Sequence, residues 1–211
     1  MKLSKETLDV LKNFASINTS LLIRPGNKLR TMTAQKNVMG TATVAEEFDT
    51  EFAIYDLNQF LGTLSLFQDP EIDFGTEYAV IKDATNSTAV YRGAAKEAIV
   101  HAPDKDIVFP TSEVSFTLTA TTLSDALKAA SVMGLPHLAF ECNAKLGKIF
   151  VYAEDAGNTS KHTWNREISV GCPHDFKLVF RTELMKFLPR DYEMAISSKM
   201  IVRLTSKKGD V

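Results

Sequence analysis

The chain has 211 residues, with 24 Lys and Arg against 26 Asp and Glu, a formal charge of −2. At about 150 residues per domain that length suits one large domain or two small ones, and 45% hydrophobic with 24% charged residues is enough to bury a core. Two cysteines exclude a disulfide-stapled scaffold, the absence of any long apolar run excludes a membrane-spanning helix, and the near-neutral charge argues against holding DNA by bulk attraction.

Residues 4–17 have helical spacing: Ser4 as N-cap, then Leu8, Leu11 and Ala15 on one side with Phe14 beside them. Lys5, Asp9, Lys12 and Ser16 take the opposite side. An amphipathic start of this kind is not a signal-peptide core, so the sequence predicts a soluble, cytoplasmic protein. Strand-like runs follow at 19–24, 28–34, 38–45 and 50–55, separated by turn residues such as Pro25-Gly26-Asn27. A short helix from Asp56 carries Leu57, Phe60, Leu61 and Leu64, and strands are predicted at 71–74, 77–83, 87–92 and 97–102.

Residues 103–112 form a proline-bounded connector with an apolar centre, Ile107-Val108-Phe109, where connectors are normally polar. The order of elements then starts again. A strand at 114–119 precedes a helix at 122–133 capped by Thr122, then strands at 136–142, 147–153, 159–170 and 176–180. A second short helix runs from Thr182 to Leu188 and stops at Pro189, before strands at 191–197 and 200–206.

Two local matches make this an internal duplication. Asp9-Val10-Leu11-Lys12 reappears as Asp125-Ala126-Leu127-Lys128, and Leu57, Phe60 and Leu61 reappear as Leu184, Phe187 and Leu188. The predicted domains are 1–102 and 113–211, joined by 103–112, in an α+β fold of antiparallel sheets with two helices per domain. The second copy has fewer strands after its short helix, so one final strand beyond the turn at 206–211 is expected to be missing.

Catalytic chemistry is not legible. Cys172-Pro173-His174 is the only close Cys/His pair, with no second pair to complete a zinc site, so Cys142 and Cys172 are expected to be ordinary core thiols. No phosphate-cradling glycine loop or nucleophile elbow is present. Glu46-Glu47 and Glu154-Asp155 fall at predicted strand ends, where solvated turns are the better account. No enzyme, metal or cofactor is predicted.

Two blocks carry a resemblance. Met1-Lys2-Leu3-Ser4-Lys5-Glu6-Thr7 with Leu11-Lys12-Asn13-Phe14-Ala15-Ser16-Ile17-Asn18, and the run Ala53-Ile54-Tyr55-Asp56-Leu57-Asn58-Gln59-Phe60-Leu61-Gly62-Thr63-Leu64-Ser65-Leu66, resemble the sliding clamps of T-even-type bacteriophages. These are DNA polymerase processivity factors related in fold to proliferating-cell nuclear antigen. The resemblance implies a non-enzymatic homotrimer closing head to tail around double-stranded DNA, loaded by a clamp-loader ATPase and acting in the cytoplasm of an infected bacterial host. A viral structural or assembly protein of duplicated β-rich domains is the alternative, less suited to four helices.

A ring retains DNA by topology, so a few inner cations suffice and no base-reading motif is needed. With the helix pattern, the resemblance implies Lys2, Lys5, Lys12, Lys128, Arg181, Lys186 and Arg190 as the DNA-facing set; the helix at 57–66 has no Lys or Arg. It implies that DNA polymerase inserts a short C-terminal apolar peptide beside the connector, at Ile107, Val108, Phe109 and Pro110 with Tyr91 on a neighbouring strand. It also implies that the strand at 96–102 (Ala98, Val100) pairs between subunits with that at 159–170 (His162, Trp164).

Overall fold

The computed structural model describes residues 1–85, 87–158, 162–172 and 174–207. The chain divides into two compact units, which meet in sequence between Asp106 and Ile107, inside the predicted connector.

In the first unit, α1 (Lys5–Ile17) is capped by Ser4, whose side chain accepts from the Thr7 N–H at 3.2 Å. Val10, Leu11, Phe14 and Ala15 are buried, while Lys5, Lys12 and Ser16 are exposed. The helix packs on β2 (Gly26–Met32), β3 (Met39–Phe48) and α2 (Leu57–Leu64). β1 (Leu21–Ile23) pairs antiparallel with β4 (Phe52–Ile54), and β2 with β3. α2 is capped by Asp56, whose carboxylate accepts from the Gln59 N–H at 3.0 Å, and buries Leu57, Phe60 and Leu64. β5 (Glu71–Phe74), β6 (Tyr78–Lys82) and β7 (Thr88–Arg92) form a meander. The Phe74 ring gathers Phe48, Phe52 and Phe60 around it, with centroids 5.4 to 6.1 Å away.

The predicted strand at 97–102 is not one. Residues Lys96–Ala98 make a single 3-10 turn, and the carbonyls that follow are taken by side chains instead of a neighbouring strand. Val100 O accepts from Asn18 Nδ2 (2.8 Å) and Ser20 Oγ (2.9 Å), and Ala102 O from Arg24 (2.9 Å). An edge whose acceptors are used this way has lost part of its ladder.

The second unit begins its regular structure at β8 (Val114–Leu118), followed by α3 (Ala120–Met133). The cap of α3 is Thr119, not Thr122: Thr119 has extended backbone and its hydroxyl accepts from the Thr122 N–H at 3.2 Å. The helix ends at Gly134, whose φ of 63° and ψ of 38° close the last turn in the left-handed region that glycine adopts without cost.

β11 (Trp164–Val170), β10 (Lys148–Glu154), β9 (His137–Asn143) and β12 (Phe176–Arg181) form one antiparallel sheet in that order. β14 (Ile201–Ser206), β13 (Tyr192–Ser197) and β8 form another. β11 starts later than predicted, because β10 ends one residue beyond Ala153, the partner of Trp164. Residues 159–161 of the predicted strand, and 208–211 of the predicted turn, lie outside the described residues.

Leu118, Ala126, Leu138, Phe140, Ile149, Val151 and Met194 centre the core of this unit. Cys142 and Cys172 are buried as expected of core thiols, but they are joined by a disulfide, with Cα atoms 5.7 Å apart.

The helix predicted from Thr182 to Leu188 reduces to a 3-10 turn at Thr182–Leu184. Its hydroxyl at Thr182 donates back to Pro136 O (3.2 Å), Arg181 supplies no side-chain cap, and Pro189 disfavours helical backbone at Leu188. Too few residues remain to propagate a nucleus. The described residues therefore hold three α-helices, two in the first unit and one in the second.

Candidate nucleic-acid and partner interface

Helical spacing places Lys5 and Lys12 two turns apart on the solvent side of α1. Lys5 makes no ion pair among the described residues, and Lys12 reaches Asp9 only at 3.7 Å. Lys128 holds the equivalent place on α3, exposed and likewise without an ion pair among the described residues. Its acidic neighbour Asp125 is turned aside to Arg166, at 2.8 Å. Lys5 and Lys128, with Lys12 held only loosely by Asp9, can therefore attract phosphates without reading bases.

The other predicted cations stand differently. Lys2 is paired with Asp69, and that hydrogen bond raises the ammonium pKa above its ordinary value. Arg181 lies 3.4 Å from Glu183. Lys186 is exposed and Arg190 half-buried, both in the irregular segment after the 3-10 turn instead of on a helix. α2 presents no cation at all.

The connector is exposed where it is most apolar: Ile107 is 59% and Val108 89% accessible. Phe109 is half-buried with the Arg203 guanidinium 4.6 Å above its ring, and Pro110 is half-buried. Tyr91 packs within the first unit. It is only 9% exposed, stacks edge-on to Phe60 at 5.1 Å and donates to Asp56 O at 3.0 Å, so it serves the core of the first unit. Burial accordingly raises its phenol pKa.

Among the described residues β11 is an edge strand with one neighbour, β10. Trp164 at its start is half-buried with Arg166 stacked 5.3 Å over the ring, and His162 just before it is exposed. Ala98 and Val100 are exposed on the turn and extended segment at 96–100. Among the described residues no cluster of three or more His, Cys, Asp or Glu could hold a metal ion.

Arg24 and Arg30, which grip the start of the connector, and Arg203 over Phe109 were not singled out by sequence. The alternation Asp104-Lys105-Asp106 was the one available signal.

The model of the DNA polymerase processivity factor family matches residues 4–101. The sliding clamp of Vibrio phage KVP40 is 34% identical over 209 residues, covering 96% of this chain and 93% of the relative. Those of Escherichia phage RB69 (32%, covering 93% and 87%) and Enterobacteria phage T4 (31%, covering 94% and 88%) are similar over nearly the same span. The chain belongs to the sliding-clamp family.

Solved structures agree on the fold. The PCNA2–PCNA3 complex of Sulfolobus tokodaii superposes with a TM-score of 0.65 at 13% identity, over 96% of this chain and 91% of that one. Proliferating cellular nuclear antigen of Entamoeba histolytica gives 0.66 at 12%, over 90% and 85%. A sliding clamp is a processivity factor and not an enzyme, which accounts for an arrangement of scattered cations and apolar surface in place of a reactive centre. It works on DNA with a polymerase as part of a multimeric ring.

Proposed function

We propose that three copies close head to tail into a ring around duplex DNA in the infected bacterial cell, placed there by a clamp-loader ATPase. DNA polymerase is tethered by an apolar peptide docking at Ile107–Pro110. The ring contact uses the unpaired edge of β11, with Trp164 and His162, against Ala98 and Val100 of the next copy; a heterologous contact whose rotation closes gives a ring. Domain limits of 1–102 and 113–211 around the connector fit this arrangement.

The observation that carries this reading is the pairing of family membership with exposed Lys5, Lys12 and Lys128 at matching helix positions. Lys2, Arg181, Lys186 and Arg190 supply weaker, partnered or half-covered charge. Few free cations suit sliding, because each neutralised phosphate adds affinity and friction together.

The test is a processivity assay on primed circular DNA with the cognate polymerase and loader. Reversing Lys5, Lys12 and Lys128 to Glu together shortens the products while the melting temperature holds; unchanged product length removes these lysines from the DNA-facing set. Sedimentation at about three times 23.3 kDa supports the closed trimer, and a stable monomer overturns it.

A further inference from the structure

The connector is gripped along one half and free along the other. Arg24, its side chain 17% exposed, donates to Ala102 O at 2.9 Å, lies 3.1 Å from His101 Nδ1 and pairs with Asp104. Arg30, 10% exposed, donates to Pro103 O at 3.1 Å, to Asp104 O and to the Asp106 carboxylate at 2.5 Å. Lys28 reaches the same carboxylate at 3.4 Å. Every residue from His101 to Asp106 except Lys105 is thus held by an arginine of the first unit. Beyond Asp106 the grip stops, and the exposed Ile107 and Val108 begin.

Isolated surface ion pairs are worth little. This group differs because both arginines are largely withdrawn from water, and a guanidinium left there without acceptors is costly. Its planar fork also fixes the direction of each acceptor, which a lysine cannot do. The main-chain carbonyls of 102, 103 and 104 are satisfied by these forks, so the path of the segment, and not merely its charge, is specified.

We propose that Arg24 and Arg30 are positioning residues for partner docking: their clasp on residues 101–106 fixes the starting point of Ile107–Pro110 and keeps the apolar segment short and presented. The inference rests on Ile107–Pro110 being the docking segment. It gives a partner contact made by apolar side chains an ionic dependence that those side chains do not have.

Lys105 lies between the two clasped aspartates and offers trypsin a direct probe. The exposed carboxylates are neutralised in the D104N/D106N variant, a change that leaves the core intact. Cleavage after Lys105, taken relative to a free peptide of residues 99–112 carrying the same substitutions, is expected to rise about tenfold in that variant, as a local opening freed of its restraint. In the unaltered chain it should rise from about 0.1 M to about 1 M NaCl, as the Debye length falls from about 10 to about 3 Å. The variant should lose that salt response.

Binding of a fluorescent peptide bearing the apolar C-terminal residues of the cognate polymerase is measured alongside. D104N/D106N should weaken it about threefold to tenfold, whereas I107S/V108S should abolish it without altering cleavage. Unchanged cleavage in D104N/D106N overturns the clasp whatever the peptide does. Altered cleavage with full peptide affinity in D104N/D106N overturns the positioning role. Full affinity in I107S/V108S overturns the docking segment instead.

Discussion

The two units run through the same succession of elements and differ most at the second helix. In each, an N-capped helix lies between a pairing segment and four strands: Met1 exchanges backbone hydrogen bonds with Ile72 of β5 where β8 pairs with β13. In each, a carboxylate from elsewhere in the chain also reaches the helix start, Glu46 to Ser4 N and Asp191 to Ala120 N. The segments containing Leu57-Phe60-Leu61 and Leu184-Phe187-Leu188 then part company. The first has a carboxylate cap and a fully buried Phe60; the second has neither cap nor room before Pro189, and becomes a 3-10 turn with Phe187 half-buried against Tyr192. A shared apolar stripe is therefore not enough to set secondary structure; the capping residue and the stop decide it.

The largest effect should come from the aromatic anchors of that stripe. Phe60→Ala is expected to cost about 3–5 kcal/mol in denaturant unfolding, and Phe187→Ala about 1–2, because only Phe60 is wholly enclosed. Equal losses would break the contrast. Next come the caps: Asp56→Ala should cost about 1 kcal/mol, while Arg181→Ala, at a position that caps nothing, should leave the melting curve unmoved. In α3, Thr119→Ala should cost about 1 kcal/mol and Thr122→Ala only a few tenths, which separates the observed cap from the predicted one.

The smallest effect concerns pH. Burial pushes the Glu46 carboxyl up, but hydrogen bonds from the Thr7 hydroxyl and Ser4 N–H outweigh it and hold the pKa below its ordinary 4.5. A lowered folded value means stabilisation that is complete above the unfolded value and lost as pH falls through the folded one. Glu46→Gln should accordingly be less stable than the unaltered chain near neutrality, with the gap closing below about pH 4.5 in thermal melts.

Periodicity made α1, α2 and nearly every strand legible, because each buries one face and leaves the other in water. The family blocks made the ring-forming class legible through specific residues, Met1–Asn18 and Ala53–Leu66. What escaped was set by distant partners. Val100 and Ala102 look like strand residues, but their carbonyls belong to Asn18, Ser20 and Arg24, some 80 residues earlier. The hydroxyl of Tyr91 finds Asp56 O and its ring finds Phe60, partners more than 30 residues earlier that no local spacing indicates. The exposure of Lys5, Lys12 and Lys128 follows directly from helical spacing; the clasp of Arg24 and Arg30 does not, because nothing local ties residue 30 to residue 106.

The Cys142–Cys172 link spans β10 and β11 and so makes this polypeptide two materials under one sequence. With dithiothreitol present, the hairpin that ends in the exposed edge of β11 is held by packing and by the hydrogen-bonded ladder of β10 with β9; without it, a covalent crossbar shortens the denatured chain's reach and raises the melting temperature. Calorimetric ranking of any substitutions in the second unit is thus meaningful only among samples prepared with the same reductant history.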